Sequence, residues 1–245
     1  MDIDNAILEM NSAEPPIMDG SSKFFVEAIE EAGVVEQEQN REYLVIKEVM
    51  NYVDPNTGSE ITIIPSENYE ITTMVDFGTK ILGTQNASLK NITDFKDEIS
   101  SARTFSFLHE LEMLLDSGLI KGGDISNAIV YVDKELTPET AEKLKKAFGK
   151  EEVTIRPNGI LDNLTLNYPN EAARHKLLDV IGDLALTGVK IKGKVIATKP
   201  GHFVNTQFAK KLNRQWKLQK KKNVPDFNLK AEPVFDINGI MRLLP

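Results

Sequence analysis

Three polar side chains recur at four-residue intervals in the segment RHKLLDVIGD, residues 174–183. On a helix, His175, Asp179 and Asp183 share one face, because positions i, i+4 and i+8 stack above one another. An imidazole nitrogen and a carboxylate oxygen on adjacent turns can reach one cation, and both are ligands that zinc accepts. A catalytic zinc commonly holds three protein ligands, so this helix would supply part of a site. The spacing equally allows a hydrogen-bonded His–Asp pair with no metal.

Three other residues carry groups that bear on chemistry. His202 follows a predicted strand in KPGHFVN. Near His175 it could act as an acid or base, and otherwise it is an exposed loop histidine. Thr104 in ARTFSF offers a hydroxyl, or is simply a threonine near a helix start. His109, the remaining histidine, falls on the polar side of a predicted amphipathic helix and is expected at the surface.

Composition narrows the function classes. The 245 residues carry a net charge of −8 at a pI near 5.1, which disfavours extensive nucleic-acid binding. The absence of cysteine excludes disulfides and thiolate metal sites. The acidic start lacks the pattern of a signal peptide, and no apolar run approaches the roughly 18 residues of a membrane span. We therefore expect a cytoplasmic location.

Hydrophobic periodicity predicts alternating helices and strands in an irregular order. Strands are predicted at 4–10, 41–53, 59–66, 69–77, 127–132, 151–157 and 190–202. Helices are predicted at 24–33, 95–119, 137–149, 170–188 and 205–222. The strands alternate as in an antiparallel sheet with one covered face, without βαβ regularity along the chain. The expected fold class is therefore α+β, with helices packed on a mainly antiparallel sheet in a two-layer α/β sandwich.

Four ordered motifs together resemble one enzyme family. They include RHKLLDVIGDLAL, IATKPGHFVNTQFA, ARTFSFLHELEMLLDSGLIKGGDISNAIV and PPIMDGSSKFFVEAIEEAG, and VDFGTKILGTQN is similar as well. They resemble the zinc-dependent UDP-3-O-acyl-N-acetylglucosamine deacetylases of bacterial lipid A synthesis, from residue 1 to about residue 219. The implied reaction is hydrolysis of the acetamide of UDP-3-O-(3-hydroxyacyl)-N-acetylglucosamine to the free amine and acetate.

The resemblance implies roles for individual residues. His175 and Asp179 resemble two of three zinc ligands, His202 the general acid that protonates the departing amine, and Asp183 the carboxylate that orients it. Thr104 resembles the hydroxyl that helps to hold the oxyanion. The resemblance implies substrate contacts from Lys176 and Phe77 at the nucleotide end and a further substrate contact from Phe105. Along the passage for the acyl chain it implies Leu108, Leu111, Ile120, Ala128 and Val130.

The resemblance also divides the chain. Residues 1–40 resemble a remnant of an incomplete first deacetylase domain. Residues 41–219 resemble the second domain, with a βαβ insert at about 107–130. A linker at 220–233 and the first residues of a β-hydroxyacyl-acyl-carrier-protein dehydratase at 234–245 would follow, so a fused dehydratase domain is the expected covalent partner.

One departure from the family limits the expected activity. The family's third zinc ligand and its general base lie in a Thr-Val-Glu-His type motif, which this sequence lacks. We therefore expect an N-terminally truncated chain that is poorly active or inactive alone. The alternative is a non-catalytic fragment that binds acylated nucleotide sugar or acyl carrier protein. An unrelated His/Asp metalloprotein would require the four motifs to coincide by chance.

Overall fold

The computed structural model describes residues 1, 3–116, 127–149, 151–162 and 164–223. Its strands are β1 (Tyr43–Val45), β2 (Met50–Val53), β3 (Glu60–Ile64), β4 (Tyr69–Asp76), β5 (Thr84–Leu89), β6 (Phe105–Phe107), β7 (Ile129–Tyr131) and β8 (Lys190–Thr198). Its helices are α1 (Lys23–Ala32), α2 (Phe95–Glu98), α3 (Leu108–Asp116), α4 (Pro138–Phe148), α5 (Glu171–Ala185) and α6 (His202–Asn223).

The main sheet has the strand order β2-β3-β8-β4-β5, and β1 pairs with the start of β8. β3 lies antiparallel to both β2 and β8, and β5 is antiparallel to β4. β1 and β4 run parallel to β8. The sheet is therefore mixed, with the antiparallel pairs in the majority.

One face of this sheet is covered by α5 and α6, which pack against each other. Side chains alternate between buried and accessible along β8, as expected for a sheet with one covered face. The core between the layers includes Ile63, Val195, Leu177 and Phe208, all fully buried. This arrangement confirms the predicted α+β class with helices layered on a sheet.

The close approach of Ile46 and Ile63 to the centre of β8 explains one glycine. A Cβ on Gly193 would lie 2.8 Å from Cγ1 of Ile46 and 3.0 Å from Cδ1 of Ile63. Those distances are shorter than real Cβ contacts, so any side chain would push neighbouring core residues apart. The glycine lets the centre of the sheet pack against the covered core.

A second, smaller sheet pairs β6 with β7 in parallel, and α3 follows β6 directly. Parallel neighbours need a crossover connection, and α3 lies in that connection. This confirms the predicted βαβ unit. Residues 117–126, which complete the connection, lie outside the described residues.

The segment before α1 is attached to the start of β6. Gly20 O accepts from Thr104 N at 2.7 Å, and Ser22 Oγ donates to Ser100 O at 3.0 Å. A Cβ on Gly20, whose φ is +81°, would lie 1.9 Å from Asn127 O. Residues 1–40 thus contact the segment at 100–104, while the proposed domain boundaries stay a prediction.

Several predicted elements match the structure. The turn DPNTG joins β2 to β3, with Asp54 Oδ1 accepting from Asn56 N at 3.1 Å. Thr137 caps α4 by accepting from Thr140 N at 3.2 Å. The helix predicted at 170–188 forms as α5, and the helix predicted at 205–222 begins earlier, at His202, as α6.

Three predicted elements are wrong, in whole or in part. Residues 4–10 form no strand, and Ile7 is 92% exposed. Residues 151–157 make only an isolated bridge between Ile155 and Leu161. Alternation alone therefore does not make a strand, because a strand also needs a partner backbone to pair with.

The long helix predicted at 95–119 is replaced by α2, β6 and α3. The backbone of Thr104 instead makes hydrogen bonds to other segments. Its N–H donates to Gly20 O, and its carbonyl accepts from the N–H of Ile129. Those tertiary hydrogen bonds replace the i to i−4 bonds of a helix. β5 was not predicted, because its polar sequence TQNASL lacks the apolar alternation of a strand. It forms a strand because it pairs with β4.

Candidate metal and acid–base site

Helix α5 presents His175 and Asp179 on one face, one turn apart. His175 Nε2 lies 3.5 Å from Asp179 Oδ1, and both side chains are about nine-tenths buried. The opposite face of α5 carries Leu177, Val180 and Leu184 into the core. The apolar face thus fixes the rotation of the helix, and that rotation aims the two polar groups at a common point.

The ring of His175 is held in one orientation by a backbone carbonyl. Its Nδ1 lies 3.0 Å from Ala102 O. A carbonyl oxygen can only accept, so Nδ1 carries the proton of the neutral ring and Nε2 keeps its lone pair. Burial lowers the pKa of His175, against the opposing pull of Asp179 and the Ala102 carbonyl. The ring is therefore neutral, and the lone pair of Nε2 is available to bind a cation.

This donor set fits zinc in type and orientation. A neutral imidazole whose other nitrogen donates to a carbonyl is the usual form of a metal-binding histidine, and a carboxylate oxygen is a common companion. Within the described residues, no group of three or more His, Cys, Asp or Glu side chains is placed to hold a metal. The described residues therefore offer two candidate donors, His175 and Asp179.

One further turn along α5, Asp183 forms a second cluster with the start of α6. Its Oδ2 lies 2.9 Å from His202 Nδ1 and accepts from Asn205 Nδ2 at 2.8 Å. The His202 side chain is 69% exposed, whereas Asp183 is largely buried. Asp183 lies about 12 Å along the helix from His175, given a rise of 1.5 Å per residue. The accessible ring of His202 can thus exchange protons while a buried carboxylate holds its other nitrogen.

Aromatic side chains surround the start of β6. The Phe105 ring lies edge-on to His175 at 6.4 Å and to Phe77 at 5.5 Å. Lys176 Nζ lies 5.4 Å from the centre of the Phe105 ring and donates to Asp179 Oδ2 at 3.0 Å. Thr104 lies between Ala102 and Phe105, both of which contact His175. The structure therefore brings Phe105 and Lys176 into contact with the His175–Asp179 pair. Phe77 packs on Phe105, and Thr104 precedes Phe105 in the chain.

The residues predicted to contact an acyl chain differ in their surroundings. Leu108, Leu111 and Val130 are buried in one cluster with Leu144 and Leu161. Ala128 is partly exposed beside β7. Ile120 lies outside the described residues. Their contact with a substrate stays a prediction.

His109 does not join the metal pair. Its ring stacks on Phe107 with the centroids 5.9 Å apart, and its Nδ1 bonds Asp133 Oδ2. The side chain is 45% exposed. The expectation of a surface position is confirmed.

Three residues of this region were not predicted from the sequence: Asn205, Glu171 and Arg103. Asn205 is fully buried and bonds Asp183, and Glu171 is fully buried and pairs with Arg103 through Arg103 Nε at 2.9 Å. Glu171 precedes His175 by four residues and so extends its polar stripe, a signal that the spacing contained. Nothing in the local sequence marks Asn205, because its partner is 22 residues away.

Together the fold and these two clusters define a class: an α+β protein with a candidate pair of metal donors, His175 and Asp179, beside a hydrogen-bonded His202–Asp183 pair. None of the helices within the described ranges has the length and hydropathy of a membrane span. The model of the family described as LpxC, UDP-3-O-acyl N-acetylglycosamine deacetylase, matches residues 1–150 and 140–214. The chain belongs to this family.

Relatives of two lengths are similar to this chain. A protein of Bacteroides thetaiotaomicron named bifunctional enzyme LpxC/FabZ is 42% identical over 243 residues, which is 99% of this chain and 52% of the relative. A protein of the same name from Porphyromonas gingivalis gives the same identity and coverage. A UDP-3-O-acyl-N-acetylglucosamine deacetylase of Syntrophotalea carbinolica is 36% identical, over 86% of this chain and 60% of the relative. The chain spans about half the length of the bifunctional relatives.

Proposed function

We propose that this chain is the larger part of a zinc-dependent deacetylase that hydrolyses the acetamide of UDP-3-O-(3-hydroxyacyl)-N-acetylglucosamine to the amine and acetate. Membership of the deacetylase family supports the reaction. The observation that carries the assignment is the single face of α5, where the buried pair His175–Asp179 and the Asp183–His202 pair follow one another. Metal-assisted amide hydrolysis requires ligands that hold a metal ion and, beside them, groups that transfer protons.

Each of these side chains has a separate task in the proposed reaction. His175 and Asp179 would hold the zinc, which when bound polarises the amide carbonyl and lowers the pKa of water. His202 donates a proton to the departing amine, and Asp183 orients its ring and stabilises the protonated form. Thr104, beside the His175 contact, offers a hydroxyl to the developing oxyanion.

The substrate's remaining parts are assigned by chemistry. Lys176 and the Phe77–Phe105 pair would contact the nucleotide and sugar end, since a cation and aromatic faces suit a diphosphate and a ring. The acyl chain would lie toward β6, α3 and β7, beside Leu108, Leu111, Ile120, Ala128 and Val130. A passage there requires movement of the buried Leu108–Val130 cluster or an opening through residues outside the described ranges.

The described residues offer two candidate zinc donors and no third. We propose that the complete site adds a histidine ligand and a catalytic carboxylate to this pair. The bifunctional relatives support a dehydratase domain after this one. We further propose a cytoplasmic location in a bacterium.

The test compares this chain with a version extended toward the N-terminus by the deacetylase segment of a bifunctional relative. We expect the extended version to hold one zinc per chain and to release acetate from UDP-3-O-acyl-N-acetylglucosamine. Without its general base the shorter chain should be slower by about 10²–10⁴-fold. His175→Gln in the extended version is the control for metal-dependent turnover. Tight zinc binding and full turnover by the shorter chain would contradict the proposed division of the site.

A further inference from the structure

The peptide group between Ala102 and Arg103 is bound at both ends by side chains of α5. Its carbonyl oxygen lies 3.0 Å from His175 Nδ1. Its N–H donates to Glu171 Oε1 at 3.1 Å. Glu171 and His175 are one helical turn apart, so a single face of α5 holds one peptide plane by its donor and its acceptor.

The carboxylate of Glu171 is itself fixed in place. It is fully buried and accepts from Arg103 Nε at 2.9 Å and from Asn167 N at 2.6 Å. Arg103 Nη2 also donates to Thr165 O at 2.6 Å. Every one of these donors is supplied by a segment that packs on the start of α5, so the carboxylate has little freedom to leave the peptide N–H.

Such an arrangement has a direct electronic consequence. A peptide whose N–H binds a buried carboxylate is polarised, and its carbonyl oxygen becomes a stronger acceptor. A stronger acceptor at Nδ1 fixes the tautomer of the histidine and raises the basicity of Nε2, as carboxylates do when they bind metal-ligating histidines directly. The charge of Glu171 therefore reaches His175 through one peptide.

We propose that Glu171 is a positioning residue that fixes the tautomer and donor strength of His175 through the Ala102–Arg103 peptide. For the metal, this inference rests on the proposed function. Arg103 serves the same unit as the ion-pair partner of Glu171, since a carboxylate without a partner would be unfavourable at this buried position. The same peptide leads directly into Thr104, so its fixed plane also sets the path of the chain toward the candidate oxyanion contact.

The test reads the His175 ring in the metal-free chain. The sequence holds only three histidines, so selective ¹⁵N-histidine labelling gives three rings that single variants at His109 and His202 assign. In the unsubstituted chain we expect His175 as one neutral tautomer, with a protonated Nδ1 and a bare Nε2. Glu171→Gln, which keeps length and removes charge, should shift both nitrogens toward the averaged values of mixed tautomers.

Two variants separate this effect from loss of structure. Thr73→Val removes a buried hydrogen bond from Thr73 Oγ1 to the α5 carbonyl of Ala173, which is 3.0 Å long, without touching the peptide, and should leave the His175 signals unchanged. Glu171→Asp keeps the charge but is too short to reach the peptide N–H, and it stands in if the glutamine variant does not fold. It should also mix the tautomers.

In the extended, zinc-binding protein, Glu171→Gln should weaken zinc affinity by about 10–100-fold, whereas Thr73→Val should not. Unchanged His175 signals in folded Glu171→Gln or Glu171→Asp would overturn the inference, even if the extended protein is an active deacetylase. Mixed tautomers in those variants would uphold the link through the peptide, even if the extended protein released no acetate.

Discussion

The two histidines of the candidate site, His175 on α5 and His202 at the start of α6, use the same ring atom in different surroundings. His175 directs Nδ1 at a backbone carbonyl and is buried, whereas His202 directs Nδ1 at the carboxylate of Asp183 and is 69% exposed in its side chain. A carbonyl is a neutral acceptor and leaves the buried ring neutral, with Nε2 available to a cation. Under the proposed function, the buried ring of His175 would serve as the metal ligand and the accessible ring of His202 as the acid.

The largest expected effect comes from replacing each of the two histidines by glutamine in the extended protein. His175→Gln should abolish stoichiometric zinc and with it turnover, because it removes one of the proposed donors. His202→Gln should leave zinc content intact and lower turnover by about 10²–10⁴-fold. Metal analysis beside an acetate-release assay measures both. Loss of zinc in His202→Gln would show that the two histidines do not have separate tasks.

The carboxylates behind the two histidines should differ in their effect on stability. Glu171→Ala leaves the Arg103 guanidinium buried without its partner and should lower the free energy of unfolding by about 3–5 kcal/mol. Asp183→Ala removes bonds to the exposed His202 and to Asn205 and should lower it by about 1–2 kcal/mol. Urea denaturation of both variants tests this order, and equal losses would contradict it.

A smaller effect is expected from the buried amide beside Asp183. Asn205 has its Nδ2 on Asp183 and a buried Oδ1 without a hydrogen-bond partner among the described residues. The opposite amide orientation would face its oxygen toward the carboxylate, so Asp183 fixes the orientation observed. Asn205→Leu should lower turnover of the extended protein about tenfold, in the range for lost outer contacts of a catalytic group, with zinc content unchanged.

Asn213 provides the matched control on the same helix. Its Nδ2 donates to Thr187 O at 3.1 Å, away from both histidines. Asn213→Leu should therefore leave turnover unchanged. If Asn213→Leu and Asn205→Leu lower turnover equally, the effect of Asn205 is one of helix packing and not of its contact with Asp183.

The smallest effect at neutral pH concerns Tyr131, which lies beside Phe105 on β7. Burial, with the negative charge of Glu171 adding to it, raises the pKa of Tyr131 to about 12. The folded state thus disfavours the phenolate relative to the unfolded state, whose pKa is near 10. Its contribution to stability is complete below pH 10 and is lost as the pH rises toward 12. Denaturation between pH 9 and 11 should show this slope, and Tyr131→Phe should reduce it. The part that remains is due to Tyr69, whose pKa is also raised by burial.

The regular helices and the α5 site were open to sequence-based prediction because their signals are local. The i, i+4, i+8 spacing of His175, Asp179 and Asp183 fixes a shared face once a helix forms. Thr137 capping α4 and the turn at DPNTG depend on side chains within a few residues of the atoms they bind. The strand predicted at 4–10 does not form, because its alternation is a local pattern and a strand also requires a partner strand.

What the sequence by itself determined is the order of the main elements, the pair of candidate metal donors and the family resemblance. The tertiary structure alone decided that His202 reaches Asp183, that Ala102 binds His175, and that Glu171 holds the Ala102–Arg103 peptide. Those contacts join residues that are 19, 73 and 68 positions apart. Periodicity reports which face a residue shares with its neighbours along the chain, whereas the packing of separate segments fixes the atom that each buried polar group must bind.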